Sequence, residues 1–443
     1  MASADVEIVS ETPAAPAQPP AKKAKMNEDT KLWDATHAFC SKWNLNDTDA
    51  LGVRNVMAVF YMLAKAEAAG AAFCYGRTDR PAFMDYFPTD ERWFDYAGRF
   101  LALYTRDTNA DGHALRLTSA VKGLLDKGLD GVKIVTLKSE EGPSKWVELI
   151  NADCKAATKD KIAEIVSESD VDDPKFQTCA LAAEFIKGKY VHEFKGTTEA
   201  DATFYGVAGK AADGTCHMMK HKDLADAGGG TLVWRGETCT AALLPTTTSD
   251  GKPTDFYIVA VLPKPDEATA TSKQTKPESL DAAQEEIKNN AAGLRELVRT
   301  KELSRAMVEL PRLERKMKPA NITDLCEELL PKELMHNLDH ITEEASPSGR
   351  DGPWHASPMR VNKVAHATYL KLNETGFEAA AATAVICWRS LGAGDDDLPE
   401  IIRFDRGFLL YIMDLGDTPH VLYHSRVETD AGLKNAPPAP KEE

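Results

Sequence analysis

Phe256 to Leu262 is an uninterrupted apolar run, Phe-Tyr-Ile-Val-Ala-Val-Leu, stopped by Pro263. Such a run reads as a strand covered on both faces. It commits the chain to a layered fold with a substantial core. Around it, helical and strand patterns are interleaved without a regular βαβα beat, so neither a doubly wound sheet nor a barrel is indicated. No internal repeat is present.

Other segments fill in the mixture. Val56, Val59, Phe60 and Leu63 recur at helical spacing within 55–66. Residues 145–166 read as a further helix, through Trp146, Val147, Leu149 and Ile150, then Ile162, Ile165 and Val166. Asp281 with Gln284 resembles a capping box opening a helix to about Leu303. Another helix is expected from Asn321 past Leu330, interrupted at Pro331. Val364, His366, Thr368, Leu370 and Leu372 alternate along one strand face. Phe408 to Met413 and Val421 to Val427 are two more apolar strands, and 264–277 is a surface loop. Residues 1–30, rich in Ala, Pro, Glu and Lys, and residues 431–443 read as flexible tails.

Composition restricts function. Of 443 residues, 43% are hydrophobic, and the formal charge is −16. That balance argues against a general nucleic-acid binder and against adsorption to anionic membranes. No stretch reaches the apolar length of a membrane span, and Met1 to Met26 shows no secretory core. The eight cysteines, at 40, 74, 154, 179, 216, 239, 326 and 387, form no CxxC pair. Scattered thiols of this kind fit a reducing compartment. A cytoplasmic setting is expected, with an extracellular one still open if the chain is already processed. Lys22-Lys23-Ala24-Lys25 reads either as a nuclear-import tag or as a solvated charge run, and short basic matches are common enough to prefer the second.

The segment Asn373 to Val385 is unusual. Ala379, Ala380, Ala381 and Ala382 favour helix, whereas Val385 and Ile386 favour strand, with Gly376 at one end and a Gly/Asp-rich loop from Gly392 to Asp397 at the other. From composition alone an alanine-rich surface helix is the first reading. A conformationally ambivalent tether between two strands is the second.

Several segments, in order, resemble the serpins, the serine protease inhibitor family. They are Ile186-Lys187-Gly188-Lys189-Tyr190 with His192 and Phe194; Thr198 and Phe204; Cys216-His217-Met218-Met219; Asp255 to Pro263; Val308-Glu309-Leu310-Pro311-Arg312-Leu313; Val361 to Glu374; Phe404-Asp405-Arg406-Gly407-Phe408-Leu409; and Leu422-Tyr423-His424-Ser425-Arg426-Val427. The matches cover about 145–428. The resemblance implies an α+β serpin domain over 31–430, with three β-sheets, eight or nine helices and an exposed reactive-centre loop at 374–403. It further implies a suicide inhibitor, not an enzyme. A protease cleaves the loop, and the freed loop inserts into the central sheet.

In that scheme Glu374, Gly376, Phe377, Glu378, Ala379 to Ala382 and Thr383 form the hinge. Phe377, Ala379, Ala381, Thr383 and Val385 share one face. The family's spacing counted from Gly376 puts Ser390 before the scissile bond, and one residue fewer puts Arg389 there. A trypsin-like pocket carboxylate pairs with arginine, which favours Arg389-Ser390. Cleavage after Trp388 or Ser390 stays open. His366 matches a histidine of the family's shutter. There are departures from the pattern. Phe377 stands where Thr or Ser is usual, which predicts a slow first insertion step. Ala182 aligns with His366's usual Asn partner, the Ser-Pro motif near Val59 is missing, Tyr190 replaces Trp and Gly407 replaces Pro. They keep open a non-inhibitory relative acting as chaperone, storage or binding protein. The expected partner is a trypsin-like serine protease or a cysteine protease, for a monomer capable of loop-sheet polymers. No cofactor and no metal are expected. His336 with His340, and Cys216 with His217 and His221, are two loose clusters read as structural. Gly228-Gly229-Gly230 reads as a turn, and Asp395-Asp396-Asp397 lacks the spaced ligands of a calcium loop.

Overall fold

The computed structural model describes residues 28–42, 50–75, 81–87, 93, 99–127, 132–184, 186–210, 213–248, 250–265, 273–345, 354–377, 398–433 and 436. Nine α-helices and 23 strands occur among the described residues, mixed in order.

The buried strand is Pro253–Pro263, paired to Cys239–Thr247 on one side and Phe408–Asp414 on the other. Its faces divide as a central strand's must. Tyr257, Val259 and Val261 join the larger core under the helices, whereas Ile258, Ala260 and Leu262 join a second core on the opposite face. The helix Val53–Tyr75 runs through the larger core. Gly70 on it meets the carbonyl of His340 so closely that a Cβ would lie 1.9 Å from the oxygen. That contact allows Glu67, 4% exposed, to accept hydrogen bonds from the His340 backbone N–H (2.9 Å) and to pair with its Nδ1 (2.5 Å).

A third core lies under the helix Gly142–Ala157, whose buried stripe is Trp146, Ile150 and Cys154. This helix stops well short of 166. Lys159 and Asp160 take left-handed backbone conformations (φ 52° and 64°), which end the helical path. The chain then folds back. Asn151 grips it, accepting from the N–H groups of Ile165 (2.8 Å) and Val166 (3.1 Å). Ile162, Ile165 and Val166 are apolar because they return along the helix, not because they extend it.

Other expectations also need correction. The helix after the 264–277 segment begins at Pro277, so Asp281 and Gln284 lie inside it and cap nothing. Both instead accept from Arg426 Nη1, at 2.7 and 3.2 Å. The helical stretch breaks at Asn290 and resumes as Ala291–Thr300. The alternating strand near 364–372 is two pieces, Ala365–His366 and Tyr369–Asn373. The helix Glu28–Lys42 enters the segment expected as tail, because Leu32, Trp33 and Phe39 are buried. Leu433 and Ala436 are buried as well. The basic run at 22–25 lies outside the described residues.

The expected central sheet is divided. Val132–Leu137, Arg99–Arg106 and Thr178–Glu184 form one three-stranded half. Tyr369–Asn373 with Leu313–Lys316, and Ala365–His366 with Ala320–Asn321, form the other.

Four buried histidines set the pH response of this fold. Burial pushes His37 and His420 down to about 3, His366 down to about 4, and His424 well below its ordinary value. Below about pH 6.5 an unfolded histidine takes up a proton that the folded ring refuses. The contribution of these rings to stability therefore falls from about pH 6.5 toward 4, by up to ~1.4 kcal/mol per pH unit for each, and is flat above pH 7. Asp414, raised by burial to about 6, binds its proton more readily when folded and offsets one histidine between about 6 and 4. Urea unfolding is expected to show a lower midpoint at pH 5 than at pH 7. Equal midpoints would contradict four neutral buried rings.

Candidate functional site

The two halves of the divided sheet face one another across a slot of about 820 Å³. One wall is Thr178–Glu184 and the other is the stretch 361–367. The helix Val53–Tyr75 contributes Asn55, Val56, Val59 and Phe60 to the floor. Ile162, Ile165 and Val166 also line it, while Asp170, Asp173, Lys175, Arg360 and Lys363 line its polar part.

Among the described residues, neither Thr178–Glu184 nor Ala365–His366 has a strand partner on the side facing the other. Side chains repeat the message. Asn55 Oδ1, Gln177 Oε1 and Thr178 Oγ1 are buried on the slot wall with no hydrogen-bond partner among the described residues. Each such group costs about 1–3 kcal/mol relative to a satisfied one. Unpaired strand edges of this kind are templates for a further strand.

The upper end is closed by the hinge. Gly376–Phe377 pairs antiparallel with Tyr369–Asn373 on one side and with Gly188–Tyr190 on the other. Just before it, Glu374 is held by three groups. Arg312 Nε donates to its carboxylate (2.7 Å), Thr198 Oγ1 does the same (2.7 Å), and the Phe194 N–H donates to its carbonyl oxygen (2.9 Å). Burial alone would raise the Glu374 carboxyl, but the Arg312 and Thr198 hydrogen bonds outweigh it and hold the group below the usual carboxylate range. Gly376 is obligatory here, since a Cβ would stand 2.2 Å from the Gly188 carbonyl oxygen.

His366 is buried on the slot's inner side. Its Nε2 accepts from the Gly52 N–H (3.2 Å), and Thr368 Oγ1 donates to the Ala50 carbonyl. The missing Asn partner at Ala182 is thus replaced by a backbone contact to the chain entering the helix Val53–Tyr75. That contact fixes the protonation state, because only a neutral ring offers an acceptor nitrogen.

Of the expected loop residues, Glu374 is placed in a turn, and Gly376 and Phe377 form a short strand paired on both sides. Glu378, Ala379 to Ala382, Thr383, Arg389 and Ser390 lie outside the described residues, as does 395–397. The loose metal clusters do not assemble. His336 ends the helix Lys332–His336, whereas His340 is paired to Glu67. Among the described residues no group of three or more His, Cys, Asp or Glu could hold a metal ion, and no helix is long and apolar enough to cross a membrane. Gly228, Gly229 and Gly230 form a turn with positive φ throughout.

The family model for Serpin (serine protease inhibitor) matches residues 132–427. The chain belongs to the serpins. Serpins are in general protease inhibitors, although some bind other ligands. A search of curated proteins gives no match. Among solved structures, the chain resembles Manduca sexta serpin-12 (TM-score 0.61, 14% identity, covering 91% of this chain and 98% of that one). It resembles an Arabidopsis serpin in its native stressed conformation to the same degree (TM-score 0.61, 16% identity, 91% and 99% covered). Thyroxine-binding globulin in complex with thyroxine is also similar (TM-score 0.56, 16% identity, 90% and 99% covered). At these identities the likeness shows the fold.

Sequence reasoning missed Arg312, Asn55 and Gly188 as parts of this serpin's hinge and slot. Arg312 directly follows Leu310-Pro311, inside a quoted motif, and its charge was the available signal. Glu374→Lys is expected to be strongly destabilising, since it sets two cations against each other where a half-buried pair stood; losing one partner of such a pair costs about 3–5 kcal/mol. Glu374→Gln, which can still accept from Thr198 and Arg312, is expected to lower the thermal midpoint less. Equal midpoints for the two variants would mean that the Arg312 pair contributes nothing.

Proposed function

We propose that this serpin is a suicide inhibitor of a trypsin-like serine protease, baited at Arg389-Ser390, and that the slot receives the cleaved loop. The single observation that carries this reading is the slot itself: two strand edges with orphaned polar groups, closed at one end by the first residues of the loop.

The register of the closed end supports it. Leu372 faces Phe377, and Asn373 faces Gly376. Continued downward in the same antiparallel register, Ala379 would meet Leu370, Thr383 would meet His366, and Val385 would meet Val364. Directly opposed residues share a face. Leu370 and Leu372 point into the core, as do buried His366 and Thr368. Val385 would then reach the apolar floor near Val56 and Val59, and Thr383 would bring a hydroxyl to the polar group around His366. Ala380, Ala382 and Ala384 would face outward beneath the returning chain at 162–166, where methyl side chains fit a narrow space. The same count brings Arg389 beside Arg360, among the charged lining of the slot. In this register a loop cut after Arg389 would reach Arg360, at that end of the lining.

The chemistry up to that point is the protease's own. Its serine attacks the Arg389 carbonyl carbon, Ser390 leaves with its amine, and an acyl-enzyme joins the protease to Arg389. Insertion before hydrolysis carries the protease away from the surface that bound it. The stored stability is kinetic, released only when the tether is cut.

Incubation with an equal amount of trypsin is expected to give an SDS-resistant complex of added mass, and Arg389→Ala to abolish it. The nicked chain that escapes is expected to unfold at a markedly higher temperature than the intact one. Nicking without complex and without heat resistance would assign the chain to the binding or storage role instead.

A further inference from the structure

The helix Glu28–Lys42 packs against the strand His420–Val427, and four rings run in a row through that contact. Trp33 and His37 of the helix stand 4.3 Å apart between ring centroids, His37 and Tyr411 5.8 Å, and Tyr411 and His424 4.6 Å. All four are buried. Trp33 Nε1 donates to the Lys288 carbonyl oxygen (2.8 Å). By contrast, both ring nitrogens of His37, both of His424 and the Tyr411 hydroxyl have no hydrogen-bond partner among the described residues. Orphaned polar atoms of this kind are costly. Phenylalanine at 37 and 424 would fill the same space without them, so packing alone does not account for the two histidines.

The surrounding charges are set against a proton. Burial keeps both rings neutral; Lys288, on the helix Pro277–Asn289, adds to this at His37, and Arg426 does so at His424. No carboxylate is among the groups acting on either ring. The nearby ones are engaged elsewhere. Glu285 bonds Lys288 (3.1 Å), Asp281 and Glu428 bond Arg426 (2.7 and 3.1 Å), and Glu328 bonds Lys42 at the exposed end of the helix (2.6 Å). Asp34, on the helix itself, faces Lys288, and Arg54, at the start of Val53–Tyr75, faces His420. Cys40 and Cys239, which flank Tyr411, are thiols that burial keeps protonated.

We infer that the helix Glu28–Lys42 is an acid-released clasp: protonation of His37 and His424 expels it from the sheet while the strands beneath stay paired. The helix lends no backbone to any sheet. Its tie to the strands is side-chain packing plus one bond, Thr36 Oγ1 accepting from the Val421 N–H (3.2 Å), where the two strands slip register by one residue. The strands Phe408–Asp414 and His420–Val427 keep their ladder to each other, and the first keeps its ladder to Pro253–Pro263, with the helix present or absent. Releasing the helix therefore requires less than unfolding the chain, as for any element outside the main ladder. Once wetted, each ring regains its ordinary proton affinity. Below about pH 6.5 every proton bound only in the released state favours release, by up to about tenfold per pH unit for each ring. At neutral pH buried Leu32, Trp33 and Phe39 keep the clasp shut.

The inference needs neither the loop nor a protease, and the intact full-length chain tests it. Amide hydrogen exchange is measured at pH 7 and pH 5 and corrected for the intrinsic rate at each. The helix amides are expected to open about 25-fold more often at pH 5 for each ring that gains a proton on release. They are expected to exchange ahead of the Pro253–Pro263 amides at both pH values. His37→Phe combined with His424→Phe is expected to remove the pH response of the helix. Should that double variant fail to fold, His37→Leu alone is expected to reduce the response by about 25-fold, one ring's share. Helix amides that exchange in step with the central strand at pH 5 overturn the clasp, because release would then be unfolding of the whole chain. So does a pH response that survives the substitutions unchanged.

Discussion

Thr178–Glu184 and the stretch 361–367 line the same slot, and among the described residues no strand pairs between them. An exposed edge is a template for whatever strand reaches it, and here two such edges face the same space. Gly376–Phe377 pairs antiparallel with Tyr369–Asn373 and with Gly188–Tyr190, so a segment continuing it beside 361–367 would keep the same sense.

What keeps the slot open is a matter of where the tether is fixed. On the near side, Glu374 is bound to Arg312 and Thr198, and the Thr375 carbonyl oxygen accepts from the Tyr190 N–H. On the far side the chain re-enters as Glu400–Arg403, an edge strand of a different sheet, parallel to Ala306–Pro311. Arg403 bonds Glu309 (2.5 Å) and Glu199 (3.2 Å), and Lys220 reaches the same two carboxylates. The two anchors thus belong to different sheets. In the proposed mechanism a cut would free one end, and the Glu374 contacts would serve as the pivot.

Much of this serpin's framework was legible from residues alone. Phe256 to Leu262 declared a strand with two covered faces, and the structure assigns its odd and even residues to separate cores. The helix around 55–66 and the strands near 408–413 and 421–427 were legible because their apolar spacing is long and regular. What stayed hidden depends on geometry that spacing does not encode. Residues 158–166 carry apolar side chains at nearly helical intervals, yet two left-handed residues turn the chain back. Asp281 and Gln284 fit a capping box, but Pro277 starts the helix four residues earlier and Arg426 takes both side chains. The slot had no signal, since a gap has no residues. The seat of the Phe377 ring had no signal either, since it is made by the absent side chain of Gly188, far away in sequence.

The polar groups beside the slot suggest why this sheet tolerates a divergent shutter. A buried histidine is acceptable when neutral and hydrogen-bonded, and His366 meets both conditions through the Gly52 N–H. That bond ties the sheet to the chain entering the helix Val53–Tyr75, a job otherwise done by a cross-strand side chain. The consequence is that position 182 is released to be alanine, and Ala180 and Ala182 leave the slot wall low. In the proposed insertion a low wall would lower the steric barrier to an alanine-rich strand, while the unsatisfied Asn55, Gln177 and Thr178 oxygens would raise the energy of the empty state. Both effects would favour a filled sheet, leaving the delay to the two anchored ends.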